Sequence, residues 1–233
     1  IMENNFLLKE NILFEDDWVV VINKPSGFIV NRSKTAKEKT LQDYLEEVYT
    51  FKGEETFVKR SGIVHRLDKD TSGVLIIAKD NDAFKGFQSL FKDRNIQKTY
   101  IALVHGNIFH DVIEIDAPIG RSPVNFMKFA ILADGKDSFT KAKKIMESIK
   151  NEEVYTKMEV VPKTGRTHQI RVHFSSINHP IAGDRLYCPK RLYESDLALF
   201  GRLMLHANKI SFIHPISNQK LNIESKLPSI FSI

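Results

Sequence analysis

His65-Arg66-Leu67-Asp68-Lys69-Asp70-Thr71-Ser72-Gly73 is the densest polar cluster in the sequence, and it lies between two apolar stretches, Ile63-Val64 and Val74-Leu75-Ile76-Ile77. A sheet that pauses in this way strings a polar loop between two buried strands, and a loop anchored at both ends holds a carboxylate rigidly. On spacing alone the segment reads first as a surface turn in which Asp70, Thr71 and Ser72 bond to backbone groups. A kinase catalytic loop is excluded, because that motif needs His-Arg-Asp with a downstream Asn and a Gly-rich loop. No Walker A pattern occurs, which removes support for nucleoside-triphosphate chemistry.

Upstream of this cluster, Trp18-Val19-Val20-Val21-Ile22 reads as a buried strand. The turn chemistry of Asn23-Lys24-Pro25-Ser26-Gly27 stops it, and Phe28-Ile29-Val30 is expected to resume it. Thr40 is placed to cap a helix running to about Val48, with Asp43 near the capping-box position. Downstream, Asp80 or Asn81 caps a helix whose Ala83, Phe84, Phe87, Leu90 and Phe91 form one apolar stripe, read as core rather than as a stacking platform. Lys98 to Val104 has the content of a strand, with Tyr100, Ala102 and Val104 on one face. Val154, Thr156, Met158 and Val160 alternate in the same way. Thr167 looks like the N-cap of a helix that turns Ile170, Phe174 and Ile177 inward and cannot continue past Pro180. Leu203 to His206 and Lys209 to Ile213 read as two strands, while Ser138 to Ile149 fits strand and helix about equally. Many strands, few helices and no regular βαβ alternation predict an α+β fold on a mixed, largely antiparallel sheet with flanking helices. A single domain over residues 1–233 is expected, beginning with a short extension, 1–11.

The composition suits a globular chain: 42% apolar and 27% charged side chains over 233 residues, enough to bury roughly 70 to 75% of the unfolded surface. No apolar run approaches the roughly 18 to 20 residues that span a bilayer, and no signal-peptide pattern opens the chain, so a cytoplasmic protein without a membrane partner is expected. The one cysteine, Cys188, has no internal disulfide partner, and no Cys-x-x-Cys or His-Glu-x-x-His spacing supplies a metal cage. Charge is uneven. Residues 1–50 hold 6 Lys/Arg against 9 Asp/Glu, and the remainder 28 against 20. The surplus gathers in the stretch with Lys163, Arg166 and Arg171 and around Lys85, Lys92, Arg94 and Lys98. Such clusters suit a polyanion, although a solvated basic face has the same composition.

The segment from His65 to Gly73 is similar over its full length to the central signature of the RluA family of pseudouridine synthases, with Asp68 in the place of the catalytic aspartate. Further family-like blocks follow in order around it. They are Asn23-Lys24-Pro25-Ser26-Gly27, Lys98-Thr99-Tyr100, Thr164-Gly165-Arg166-Thr167-His168-Gln169-Ile170-Arg171-Val172-His173, His179-Pro180-Ile181-Ala182-Gly183-Asp184-Arg185-Leu186-Tyr187 and Leu205-His206-Ala207. The resemblance runs from about Ile12 to about Pro228. Two departures stand out. Many relatives carry an N-terminal S4 domain, and with fewer than about a dozen residues before the first family-like segment none is expected here. Asn31 also stands where relatives commonly show His.

The resemblance implies a catalytic domain with a central RNA-binding cleft that isomerises uridine to pseudouridine within ribosomal or transfer RNA. The N-glycosidic bond breaks, the base turns and C5 joins the ribose, so neither a redox cofactor nor a metal is expected. Asp68 is implied as nucleophile or as stabiliser of a sugar cation. Arg171 is implied as its cationic partner, and Tyr100 as the ring that stacks on the flipped base and assists loss of the C5 proton. His65, Arg66, Lys98, Arg166, His168 and Arg185 are the candidate RNA contacts. A monomer is expected. The alternatives are a catalytically inactive RNA-binding or RNA-chaperone protein on the same fold, against which Asp68, Tyr100 and Arg171 together argue, and a metal-dependent nuclease using Asp68 and Asp70, for which no motif speaks.

Overall fold

The computed structural model describes residues 9–33 and 38–232. The expected extension, 1–11, lies outside the described residues except for 9–11. The architecture is α+β, and the chain divides into two compact units, one reaching to Gln97 and including Ala207–Ser225, the other comprising Lys98–His206 and the residues from Lys226 onward. Each has its own apolar core.

In the first unit, β1 (Ile12–Glu15), β2 (Val19–Lys24) and β3 (Ser72–Ala78) lie side by side, followed by β10 (Leu205–Ile213, from Ala207 on), against which β11 (Lys220–Glu224) pairs. The antiparallel register of β2 and β3 runs from Val19 opposite Ala78 to Lys24 opposite Gly73. All seven residues of β3 are buried, which is why its sequence is an unbroken apolar run instead of an alternation. Helix α1 (Leu41–Val48) starts at the expected cap, where the Thr40 side chain and Asp43 form a reciprocal capping box. A short α2 covers Glu55–Lys59, and α3 (Asn81–Lys92) is capped by Asp80, whose side chain accepts from the Ala83 N–H. Ala83, Phe84 and Phe87 enter the core beside Val19, Val21, Val74 and Ile76, so the phenylalanine stripe is core as expected.

The second unit holds β4 (Gln97–His105, from Lys98 on), β9 (Glu153–Pro162), β8 (Phe139–Lys150) and β5 (Val112–Asp116) in that order. A separate hairpin joins β6 (Ile119–Arg121) to β7 (Phe129–Ile131). Helices α4 (Gln169–Ser176) and α5 (Lys190–Phe200) complete it with a short 3-10 turn at Ser229–Phe231. The core gathers Ala102, Val104, Met158, Val160, Phe174 and Leu203.

Three local expectations are corrected and one open reading is decided. Phe28–Val30 is not a strand, because the Ile29 and Val30 carbonyls accept the Leu41 and Gln42 N–H groups and so serve the first turn of α1. The N-cap of α4 is His168 and not Thr167. His168 adopts a left-handed conformation, φ 55°, and offers no side-chain cap. Ser138–Ile149 resolves as strand β8, paired along its length with β9. The two expected strands near 203–213 are one, β10, which begins at Leu205 and runs through Ala207 and Asn208.

Gly73 shows how tightly β3 meets β10. Its φ is +114°, and a Cβ there would stand 2.2 Å from the Ala207 carbonyl oxygen. Gly73→Ala should therefore cost about 3 kcal/mol or more, combining backbone strain with overpacking against an unyielding backbone atom. Equilibrium urea unfolding measures it, and a loss below ~1 kcal/mol would mean that the two strands can separate at this point without penalty.

Candidate active site

The sequence-derived candidates fall into two groups, one in each unit. In the first unit they ride on the loop between Val64 and β3. Leu67 is buried and pins the loop, leaving Arg66 exposed and Asp68 half-buried on either side of it. His65 is turned inward: its Nε2 accepts the Ile76 N–H at 3.0 Å and its ring centroid lies 4.7 Å from that of Phe91. The Thr71 N–H closes the turn on the Asp68 carbonyl at 3.2 Å, so the backbone at Asp68 is held by the loop itself.

A residue given no role by the sequence reading secures this loop. Lys24, at the end of β2, is fully buried, and its ammonium donates to the carbonyls of Pro25 (2.8 Å), Phe28 (3.0 Å) and Lys69 (2.9 Å). Three N–H donors thus meet three acceptors, two in the turn after β2 and one in the Asp68 loop. The Gly27 N–H adds a bond to the same Lys69 carbonyl, and the Ser26 hydroxyl one to the Asp70 carbonyl. The signal was present in the pattern, since Lys24 continues the register of a strand that is otherwise buried from Val19 to Ile22.

In the second unit, Lys98 and Tyr100 lie two residues apart on β4 and so share a face. Tyr100 is partly buried against the core. Lys98 donates to the Thr164 carbonyl at 3.3 Å, and burial pushes its ammonium down to about 8. Loop 163–168 is organised by the buried Gln169. Its Oε1 accepts from the Thr164 hydroxyl and the Arg166 N–H, while its Nε2 donates to the Phe139 carbonyl and Thr140 Oγ1. All four hydrogen-bonding sites of one amide side chain are used to fold this loop onto β8. Arg166 is half-exposed, with its Nε bonded to the Asp137 carbonyl, and Arg185 is exposed.

Arg171 is buried on α4. Its guanidinium grips Asp184 through Nε–Oδ2 (2.7 Å) and Nη2–Oδ1 (2.8 Å) and lies 5.1 Å from the centroid of the Tyr187 ring. Asp184 Oδ1 also accepts the Leu186 and Tyr187 N–H groups, so the anion that orients Arg171 is itself fixed by backbone. The Tyr187 hydroxyl accepts the Phe129 N–H and lies 2.8 Å from His168 Nδ1. His168 and Arg171 are thereby brought together on Tyr187. On the far side of α4, His173 sits between Thr140 Oγ1 (2.8 Å) and the Ala117 carbonyl (3.0 Å), with its pKa lowered by burial. The loop joining β6 to β7 exposes Val124, Phe126 and Met127 beside basic Arg121 and Lys128, an apolar tip that periodicity did not single out.

Replacing Lys24 by Met should cost at least ~3 kcal/mol, because three charge-assisted hydrogen bonds are lost at once and the Pro25 and Phe28 carbonyls lose this donor. Arg should not rescue it, since a planar fork cannot address three converging acceptors. Urea unfolding of both variants is the measurement, and a Lys24→Met protein of wild-type stability would remove the clamp from this account.

Comparison with known proteins agrees with these features. The profile of a family described as RNA pseudouridylate synthase matches residues 18–176. An uncharacterized RNA pseudouridine synthase of Aquifex aeolicus (strain VF5) is 39% identical over 230 residues, 95% of this chain and 70% of that protein. The ribosomal large subunit pseudouridine synthase D of Zymomonas mobilis subsp. mobilis is 38% identical over 226 residues, covering 93% and 69%. Among solved structures, human RNA pseudouridylate synthase domain containing 1 superposes with a TM-score of 0.75 at 27% identity, over 94% of this chain and 85% of that one. Human RNA pseudouridylate synthase domain containing 4 does so with a TM-score of 0.73 at 26% identity, over 99% and 95%. The nine-residue signature around Asp68, the ordered blocks that follow it and the fold of both units thus have one common explanation: the chain belongs to the RNA pseudouridylate synthase family, in its RluA branch, and is an isomerase of uridine in RNA.

Proposed function

We propose that this chain makes pseudouridine in ribosomal RNA, with Asp68 as the catalytic carboxylate, Tyr100 as the ring against the flipped base and Arg171 as the cation that keeps the site anionic where it must be. The observation that carries the reading is the Asp68 loop, a family signature whose backbone is tied at Lys69 to a buried ammonium. Ribosomal RNA is preferred to transfer RNA because several similar proteins bear the name of a ribosomal large subunit synthase.

The reaction balances without a co-reactant. The N1–C1′ bond of uridine breaks, the uracil turns, C5 bonds to C1′, the C5 proton leaves and N1 gains one. Asp68 serves C1′ as nucleophile or as counter-charge to an oxocarbenium-like sugar. No metal or redox cofactor takes part in these steps. Extracting the uridine from its stack costs a few kcal/mol, and stacking on Tyr100 returns about 1 to 3 kcal/mol of it. Exposed Arg66 and Arg185 and half-exposed Arg166 hold phosphates. Lys98 joins them, and a phosphate oxygen restores the ammonium that burial weakens. His65 and His168 are the further RNA contacts of this reading. We read residues 1–233 as a single catalytic domain. Among the described residues no helix is long and apolar enough to cross a membrane, and we place the enzyme in the cytoplasm as a monomer.

Asp68→Asn should abolish isomerisation while leaving RNA affinity within a few-fold, since the amide keeps shape but supplies neither nucleophile nor negative charge. Single-turnover product formation on a ribosomal stem-loop tests this, and a rate near wild type refutes the assignment. Mapping pseudouridine in ribosomal and transfer RNA from cells with and without the gene decides the substrate. Tyr100→Phe should keep most of the affinity and lose the phenol-dependent proton step, whereas Tyr100→Ala should also forfeit up to ~3 kcal/mol of stacking. Wild-type rates and affinities in both would place Tyr100 outside the RNA site.

A further inference from the structure

None of the residues given a part in isomerisation lies in the cluster formed by His105 at the end of β4, Cys188 before α5 and Asp196 on α5. All three are buried, and one ligand atom from each lies within 4.8 Å of the others. Asp196 is fully buried, and no lysine or arginine pairs with it among the described residues. Its carboxylate is met instead by His105 Nε2 (2.8 Å), the Tyr155 hydroxyl (2.8 Å), the Gly183 N–H (2.8 Å) and Cys188 Sγ (3.9 Å). A buried carboxylate with no lysine or arginine beside it among the described residues offers a place for a cation.

We propose that His105, Cys188 and Asp196 form a zinc site that braces α5 against β4. Nitrogen, thiolate sulfur and carboxylate oxygen are the ligand set of a borderline-soft divalent ion, and not of magnesium or calcium. A divalent cation with one thiolate and one carboxylate is neutral overall, as a dry site requires. The outer shell is already built: the Tyr155 hydroxyl and the Gly183 N–H hold the two carboxylate oxygens in place. His105 Nδ1 is buried without a hydrogen-bond partner, so no bond locks the imidazole in the tautomer that keeps its proton on Nε2. A cavity of about 630 Å³ borders His105, Tyr187 and Pro189, and in this proposal it is the route by which the ion and a fourth, water, ligand enter. On binding, the Cys188 thiol gives its proton to solvent, the His105 proton passes from Nε2 to Nδ1, and metal bonds to S, N and O replace the His105–Asp196 hydrogen bond. No electron is transferred. Motif spacing does not mark this site, since its members come from positions 105, 188 and 196 with no metal-cage pattern.

The test uses the whole chain, stripped with chelator and titrated with Zn²⁺ and, separately, Co²⁺. Zinc should bind at about one per chain with release of a proton, and excess Mg²⁺ should not displace it. Cobalt should give a thiolate-to-metal charge-transfer band, assignable at once because Cys188 is the only cysteine in the sequence. Cys188→Ser should abolish that band, and both Cys188→Ser and Asp196→Asn should weaken zinc by more than about tenfold. A wild-type protein that binds neither metal stoichiometrically, or binds cobalt without the thiolate band, overturns the proposal, leaving the cluster a hydrogen-bonded network. The wild-type spectra decide the matter even if a variant fails to fold, and the isomerisation assays are independent of the outcome.

Discussion

A lysine ammonium with no water around it must find acceptors or give up its proton, and Lys24 finds three carbonyls. Two of them belong to the turn that follows its own strand, the third to a loop 45 residues downstream. One charge therefore fixes the exit from β2, the path toward α1 and the entry to β3. Because Lys24 pairs with Gly73 across the sheet, the clamp sits where the Asp68 loop rejoins the strand. Hydrophobic packing alone would not set this geometry, since apolar contacts have no direction. Charge-assisted bonds to carbonyls do.

The second unit solves a similar problem with different chemistry. Arg171 is also a buried cation, but a planar fork needs a planar partner, and Asp184 meets it with both oxygens. The pair is anchored rather than free to slide, because Asp184 is held by two backbone N–H groups. Gln169, two residues before Arg171, binds the preceding loop to β8. Removing either partner of the Arg171–Asp184 pair would strip a buried charge of the group that orients it, which costs more than the pair itself contributes.

Much of the fold was legible because its strongest signals are local. The apolar run of β3, the Thr40 box, the Asp80 cap and the α3 stripe each depend on neighbours a few residues away. What escaped was decided at a distance. Phe28–Val30 has strand composition, yet its carbonyls are taken by the start of α1. Helix α5 hides its stripe because one of its two fully inward positions is an acid, Asp196. Ser138–Ile149 became legible only through its partner β9. The candidate site divides in the same way. The signature and Arg171 were named from motif, but the buried Lys24, the organising Gln169 and the anchor Asp184 show themselves only once side-chain polar atoms have addresses.

These anchors bear on how the enzyme spends binding energy. A flipped nucleotide must be extracted from a stack at a cost of a few kcal/mol, and energy used to order a protein loop is not available for that extraction. Here the Asp68 backbone is tied by Lys24 and Thr71, and the loop before Arg171 by Gln169, all without RNA. Arg66, Arg185 and the apolar tip at Val124, Phe126 and Met127 face outward. Buried Lys24 and Arg171 hold the protein's own carbonyls and carboxylate, while Arg66 and Arg185 stand at the surface. That division lets phosphate contacts and stacking be directed at unstacking the base, while the chemistry waits on a framework that is already assembled.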